Sequence, residues 1–273
     1  VFARFLPPVL PVDSVGKIWV EGRLRWLMLH FGTDPFLARP MAMPNTADFP
    51  ELRGGSTLQA LYERICERIG VDPERVPLQV EQERPQLGLI NDAGHDTGGI
   101  AALYSSDEDG ERIVMQSSEL AQPIALIGTL AHELSHARLL GEGRLRGDEL
   151  DNELLTDLCA TYHGFGLFLA NDSRAMLSQC GTWPGTKLVR PAYMTTNLFA
   201  WALVHRAVLA GESEPAWLAE LKSEPRRLVR DGVRWLSKHG DSAHLHEDWS
   251  AWFALQPLLE PEDTESPEES RTA

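Results

Sequence analysis

His132-Glu133-Leu134-Ser135-His136 are the residues whose types and spacing could do chemistry. They follow an apolar stretch, residues 123–131, that predicts a buried helix with Pro123 in its first turn. Leu139-Leu140-Gly141 then supply an end, with Gly141 as the C-cap. Helical positions i and i+4 lie one above the other, so His132 and His136 point the same way and can share one metal ion. Glu133 leaves the helix about 100° round, close enough to reach a water on that ion without binding it. This H-E-x-x-H arrangement suits metal-assisted hydrolysis, with the glutamate as general base.

Such a site needs a third protein ligand and an open fourth position. Asn152-Glu153-Leu154-Leu155-Thr156-Asp157 offers the candidates. Glu153 and Asp157 are again four apart, so one face of a second helix carries both carboxylates. The short, charged, glycine-containing link over residues 141–147 suits two helices running back antiparallel. Glu153 then comes level with the histidines and Asp157 lies one turn deeper. Two other readings of Asp157 stay open on the residues alone, a helix-surface carboxylate or the direct ligand with Glu153 idle, but the spacing favours Glu153 as the ligand.

The pair H-E-x-x-H and N-E-x-x-T-D resembles the two motifs of the gluzincin metallopeptidases, over residues 126–161. The resemblance implies a zincin-like fold and one zinc ion per chain, held by His132, His136 and Glu153. It also implies that Asp157 hydrogen-bonds the outer ring nitrogen of His132, fixing tautomer and orientation. Glu133 would take a proton from the metal's water and pass it to a leaving amine, the zinc having lowered the water's pKa to about 7. One strand of a hairpin, residues 98–104 or 112–116, would edge the cleft and receive a peptide as an added strand. Residues 43–50, 70–73 and 161–171 are further similar to a bacterial group of H-E-x-x-H proteins.

An oxyanion donor is the missing part. Tyr193 is best placed along the chain, in the loop after Pro191 and before the next helix. His205 falls inside that helix, and Tyr162 and His163 continue the Glu153 helix, where packing is the simpler role. His30, His95, His239, His244 and His246 stand in no motif.

The elements that must position these residues follow from periodicity. Helices are expected over residues 15–31, 57–69 (capped by Ser56 or Thr57 and stopped by Gly70), 195–209, 215–221 and 225–238. Strands are expected over residues 77–82 and 87–90, with the hairpin of 98–104 and 112–116 turning at 105–110. Residues 33–55, with their prolines, read as a long irregular connection that could cover a cleft. A small antiparallel-type sheet followed by a mainly helical half is an α+β layout. The chain divides into residues 1–55 packed on the core, a domain over 56–258, and an acidic disordered tail over 259–273.

Length and composition fit a globular protein of 273 residues with a real core. A net charge of −15 argues against nucleic acid or an anionic membrane as partner, and the gluzincin resemblance implies a peptide or protein substrate. No apolar run reaches membrane length. Three cysteines (Cys66, Cys159, Cys180) without metal or redox spacing suit a reducing compartment, hence the cytoplasm. Two other readings stay open: a zinc amidase of non-peptide substrate, and a metal-stabilised binding or regulatory module whose site is closed by Asp157 or His163 as a fourth ligand.

Overall fold

The computed structural model describes residues 8–45, 47–54, 57–82, 102–172, 179–183 and 189–242. The expected strand at 87–90, the first residues of the hairpin, His95, His244, His246 and the acidic tail lie outside them.

The architecture is α+β. Helix α1 (Ser14–Phe31) starts where the Asp13 carboxylate accepts from the Gly16 amide at 2.7 Å and stops at Gly32, whose φ is 75°. Trp19, Val20, Leu24 and Leu27 are its buried face. A single turn, α2 (Asp34–Leu37), and a 3-10 turn at Pro50–Arg53 interrupt the stretch expected to be irregular. Phe36, Met41, Ala42 and Phe49 anchor that stretch into the core. Helix α3 (Leu58–Ile69) is capped by Thr57 and ends at left-handed Gly70, as its pattern predicts.

Strands β1 (Leu78–Glu81), β2 (Ala102–Asp107) and β3 (Gly110–Gln116) form one sheet in the order β1-β3-β2. β2 and β3 pair antiparallel, but β1 joins β3 in parallel, so the sheet is mixed rather than antiparallel. The hairpin is also longer than expected. Its strands run on to Asp107 and Gly110, because charged side chains on an exposed face do not interrupt a ladder. Sheet residues Ile113 and Met115 pack beneath α3 and α4 (Pro123–His136).

α4 does not end at a glycine cap. It runs on through a wide, π-type turn, Ala137–Gly141, and the left-handed residue that follows is Gly143. Gly141 instead makes room: a Cβ there would lie 2.6 Å from both the Tyr104 hydroxyl and a Glu111 carboxylate oxygen, and those side-chain tips would have to shift. After α5 (Asn152–Ala160) comes a second π-type turn, Thr161–Phe165, with Gly164 at φ 97°, and then α6 (Gly166–Asn171). A two-stranded ribbon, β4 (Gln179–Thr182) and β5 (Val189–Pro191), was not legible in the sequence. Helices α7 (Thr196–Leu209, capped by Thr195) and α8 (Ser223–His239) complete the fold, and the segment at 215–221 is a 3-10 turn. No helix among the described residues is long and apolar enough to cross a membrane.

The interior forms two apolar clusters. One joins α1, α5, α7 and α8; the other joins α3, the three-stranded sheet and α4. α4 buries Leu126, Leu130, Ala131 and Leu134 in the second, while α5 buries Leu154, Leu155 and Leu158 in the first. The two motif-bearing helices therefore meet along the seam between the clusters, which brings their polar faces together.

Candidate metal centre

Three side chains meet at that seam. One ligand atom from each of His132, His136 and Glu153 lies within 4.8 Å of the others, a group that could hold a metal ion. A carboxylate oxygen of Glu153 is 3.2 Å from Nε2 of His132 and 3.5 Å from Nε2 of His136. The imidazoles stand nearly perpendicular, their centroids 4.9 Å apart, as i and i+4 residues on one helix can. Two imidazole nitrogens and one carboxylate oxygen are a donor set that suits a borderline cation. The Glu153 side chain is 38% exposed, so the group opens to solvent on one side.

The outer ring nitrogens are both occupied. Nδ1 of His132 meets an Asp157 oxygen at 2.8 Å, and Nδ1 of His136 meets the Thr156 hydroxyl at 3.2 Å. Each histidine thus presents Nε2 inward, held from behind. The second Asp157 oxygen accepts from the backbone amide of Met194 at 2.9 Å. With both oxygens committed, Asp157 is neither a surface carboxylate nor one of the three clustered ligands.

Charge follows from this arrangement. Burial works against a proton on His132, but hydrogen bonds to Asp157 and Glu153 outweigh it and raise the imidazole well above its ordinary value. Burial likewise works against the Glu153 charge, yet the two histidines hold that carboxyl far below the usual range. The proton on Nε2 of His132 therefore points at the carboxylate from the side a cation would take.

Glu133 does not join the ligand atoms. It is buried, and the backbone amide of Tyr104 donates to one of its oxygens at 2.7 Å. Burial pushes its carboxyl above the usual value, with His132 and His136 opposing. Because Tyr104 N points at Glu133, it does not point at β3, so β2 is the strand that edges the site. The Tyr104 ring lies 6.2 Å from that of His136.

The sequence candidates for a further donor separate clearly. The Tyr193 ring lies 6.0 Å from that of His132 and is 39% exposed, at the mouth of the site. Tyr162 is stacked on Phe36 in the core and donates its hydroxyl to the Gly32 carbonyl. His205 is buried against the Trp201 carbonyl and the Ser242 hydroxyl. His163 is 3% exposed, beside Phe31 and Tyr162, with neither ring nitrogen hydrogen-bonded. Neither His163 nor Asp157 supplies a fourth ligand to the cluster.

Sequence reasoning missed three groups: the Thr156 hydroxyl and the amides of Tyr104 and Met194. Thr156 carried a signal, standing three residues after Glu153 and so on the same helix face. The two amides carried none, since any residue has one. No protein-family model, curated protein or solved structure matches the chain.

Proposed function

We propose that this chain is a zinc-dependent hydrolase, and specifically a metallopeptidase. The single observation that carries the reading is Glu133, a buried carboxylate set beside a three-ligand cluster and excluded from it. A purely structural metal site is closed by four protein ligands and has no use for such a group.

His132, His136 and Glu153 would hold the zinc ion, which would supply Lewis acidity, lowering the pKa of a water to about 7 and polarising a carbonyl. The protein's own part is then as follows. Glu133, oriented by the Tyr104 amide, takes the proton from the attacking water and gives it to the departing amine. Asp157 and Thr156 keep both imidazoles fixed throughout. Tyr193, at the mouth beside His132, is the side chain we assign to the developing oxyanion.

A peptide suits the site better than a compact amide because, among the described residues, β2 is an edge strand and lies against α4. Alternation along it turns the backbone groups of Ala102 and Ser106, and the carbonyl of Tyr104, away from β3, where an extended chain could pair with them, while the Tyr104 amide stays on Glu133. The net charge of −15 also disfavours a nucleic-acid substrate.

The test is elemental analysis of protein purified without added metal, for wild type, Glu153→Ala and Glu133→Gln. One zinc per chain, lost in the first variant and kept in the second, is the expected result, followed by cleavage of a peptide library that Glu133→Gln fails to cut. Absence of metal after zinc is supplied would sink the reading. Full zinc uptake with no cleavage of any peptide would leave the amidase and the non-catalytic metal module.

A further inference from the structure

One turn of α5 supplies more than the third ligand. Thr156 is fully buried, and its hydroxyl has two neighbours: the Asn152 carbonyl at 2.9 Å and Nδ1 of His136 at 3.2 Å. A hydroxyl has a single proton to donate. A backbone carbonyl can only accept, so that proton is committed to Asn152. What the Thr156 oxygen turns toward His136 is then a lone pair, and Nδ1 must carry the hydrogen. From this we infer that Thr156 is a positioning residue. By accepting from Nδ1–H it selects the one neutral tautomer of His136 whose Nε2 lone pair faces the cluster.

The two histidines are thereby held by unlike partners. His132 leans on a carboxylate, which pulls on its Nδ1 proton and makes its Nε2 more basic. His136 leans on a neutral hydroxyl whose direction is set by the helix itself, through a bond four residues back along α5. The hydroxyl holds the ring without adding a fourth negative charge to a seam that already contains Glu133, Glu153 and Asp157. Because Asn152, Glu153, Thr156 and Asp157 share one helix, the ligand and both outer partners move as a unit.

This role presupposes that the cluster holds a metal, so its test is chosen to read Thr156 with and without one. Thr156→Val removes the hydroxyl at nearly constant volume, and Thr156→Ser keeps the hydroxyl while removing the methyl. In metal-free protein, imidazole nitrogen–hydrogen correlation spectra report whether Nδ1 of His136 is protonated. The zinc dissociation constant is then measured by competition with a chromophoric chelator.

Wild type and Thr156→Ser should show Nδ1 of His136 protonated, and Thr156→Val should lose that state while His132 keeps its own. Zinc affinity should fall about 10- to 100-fold in Thr156→Val and recover in Thr156→Ser. A Thr156→Val protein with an unchanged Nδ1 signal, or with zinc affinity within about twofold of wild type, overturns the inference. Equal weakening by valine and serine also overturns it, since keeping the hydroxyl would then restore nothing. Wild-type protein that takes up no zinc defeats the metallohydrolase reading instead, and the Nδ1 signal still decides what Thr156 does.

Discussion

Asp157 accepts from Nδ1 of His132 with one oxygen and from the amide of Met194 with the other, at 2.8 and 2.9 Å. One buried carboxylate thus joins the candidate metal centre to the segment that carries Tyr193 and leads into α7. An asparagine there has one acceptor oxygen and one donor nitrogen, so it can serve only one of the two N–H groups. Asp157→Asn should weaken zinc binding about 10- to 100-fold. It should also leave one donor unsatisfied, read as faster hydrogen exchange at Met194 or loss of the His132 Nδ1–H signal. Retention of both, with wild-type affinity, would remove Asp157 from the centre.

Metal uptake should be coupled to proton release. In the metal-free state the His132 imidazole is raised well above its ordinary value, so near neutral pH it holds a proton that a cation must displace. Glu153, held low, is already ionised and releases none. Zinc affinity should therefore rise with pH. Calorimetric titrations in buffers of different ionisation enthalpy should report about one proton released per zinc at neutral pH. Uptake without proton release would mean that His132 is neutral before binding.

Tyr193 stands at the mouth of the site, and its assigned role is tested by removing only the phenolic oxygen. Tyr193→Phe should lower kcat on a cleaved peptide about 100-fold or more while zinc content stays at one per chain. A kcat unchanged by the substitution would assign the oxyanion to another donor.

His163 should tax the fold at low pH. Burial, with Arg138, Arg39 and Arg68 adding to it, pushes this imidazole down to about 3. Between about pH 6.5 and that value the unfolded chain binds a proton that the folded chain refuses, so folding loses stability as pH falls. The loss is about 1.4 kcal/mol per pH unit in that window for one proton. His163→Phe should flatten the acid limb of the stability curve by about that slope, measured as urea midpoints from pH 6.5 to 4. An unchanged slope would show that His163 is protonated in the native state.

Asp151 ties the N-terminal helix to the start of α5. Its carboxylate accepts from both Arg23 Nε and the Trp19 indole at 2.7 Å. Asp151→Ala leaves a nearly buried guanidinium and a fully buried indole N–H without that partner. The expected cost is about 3–5 kcal/mol of stability, read in denaturant unfolding. A loss below about 1 kcal/mol would make the clamp incidental.

Much of the candidate centre was legible because its geometry is local. His132 and His136 are one helical turn apart, as are Glu153 and Asp157, and the 3.6-residue period places each pair on one face wherever the helix goes. Helix limits at Thr57, Gly70 and Thr195 were legible for the same reason, since caps act over three or four residues. The parallel pairing of β1 with β3, the ribbon of β4 and β5, and the close packing at Gly141 were not. The first and the last depend on a segment distant in the chain, and the glycine resembles a helix cap until Tyr104 and Glu111 are seen against it.

The amino-acid sequence by itself therefore determined the donor types, their helical phase and the faces that must be buried, because these follow from short-range backbone geometry. Tertiary structure alone decided which backbone amides reach the carboxylates. Tyr104 arrives on Glu133 from 29 residues away, and Met194 on Asp157 from 37. It also decided that Tyr193 stands at the mouth while Tyr162, His163 and His205 are spent in the interior. Those outcomes come from packing two apolar clusters against a common seam, and no local pattern encodes where that seam runs.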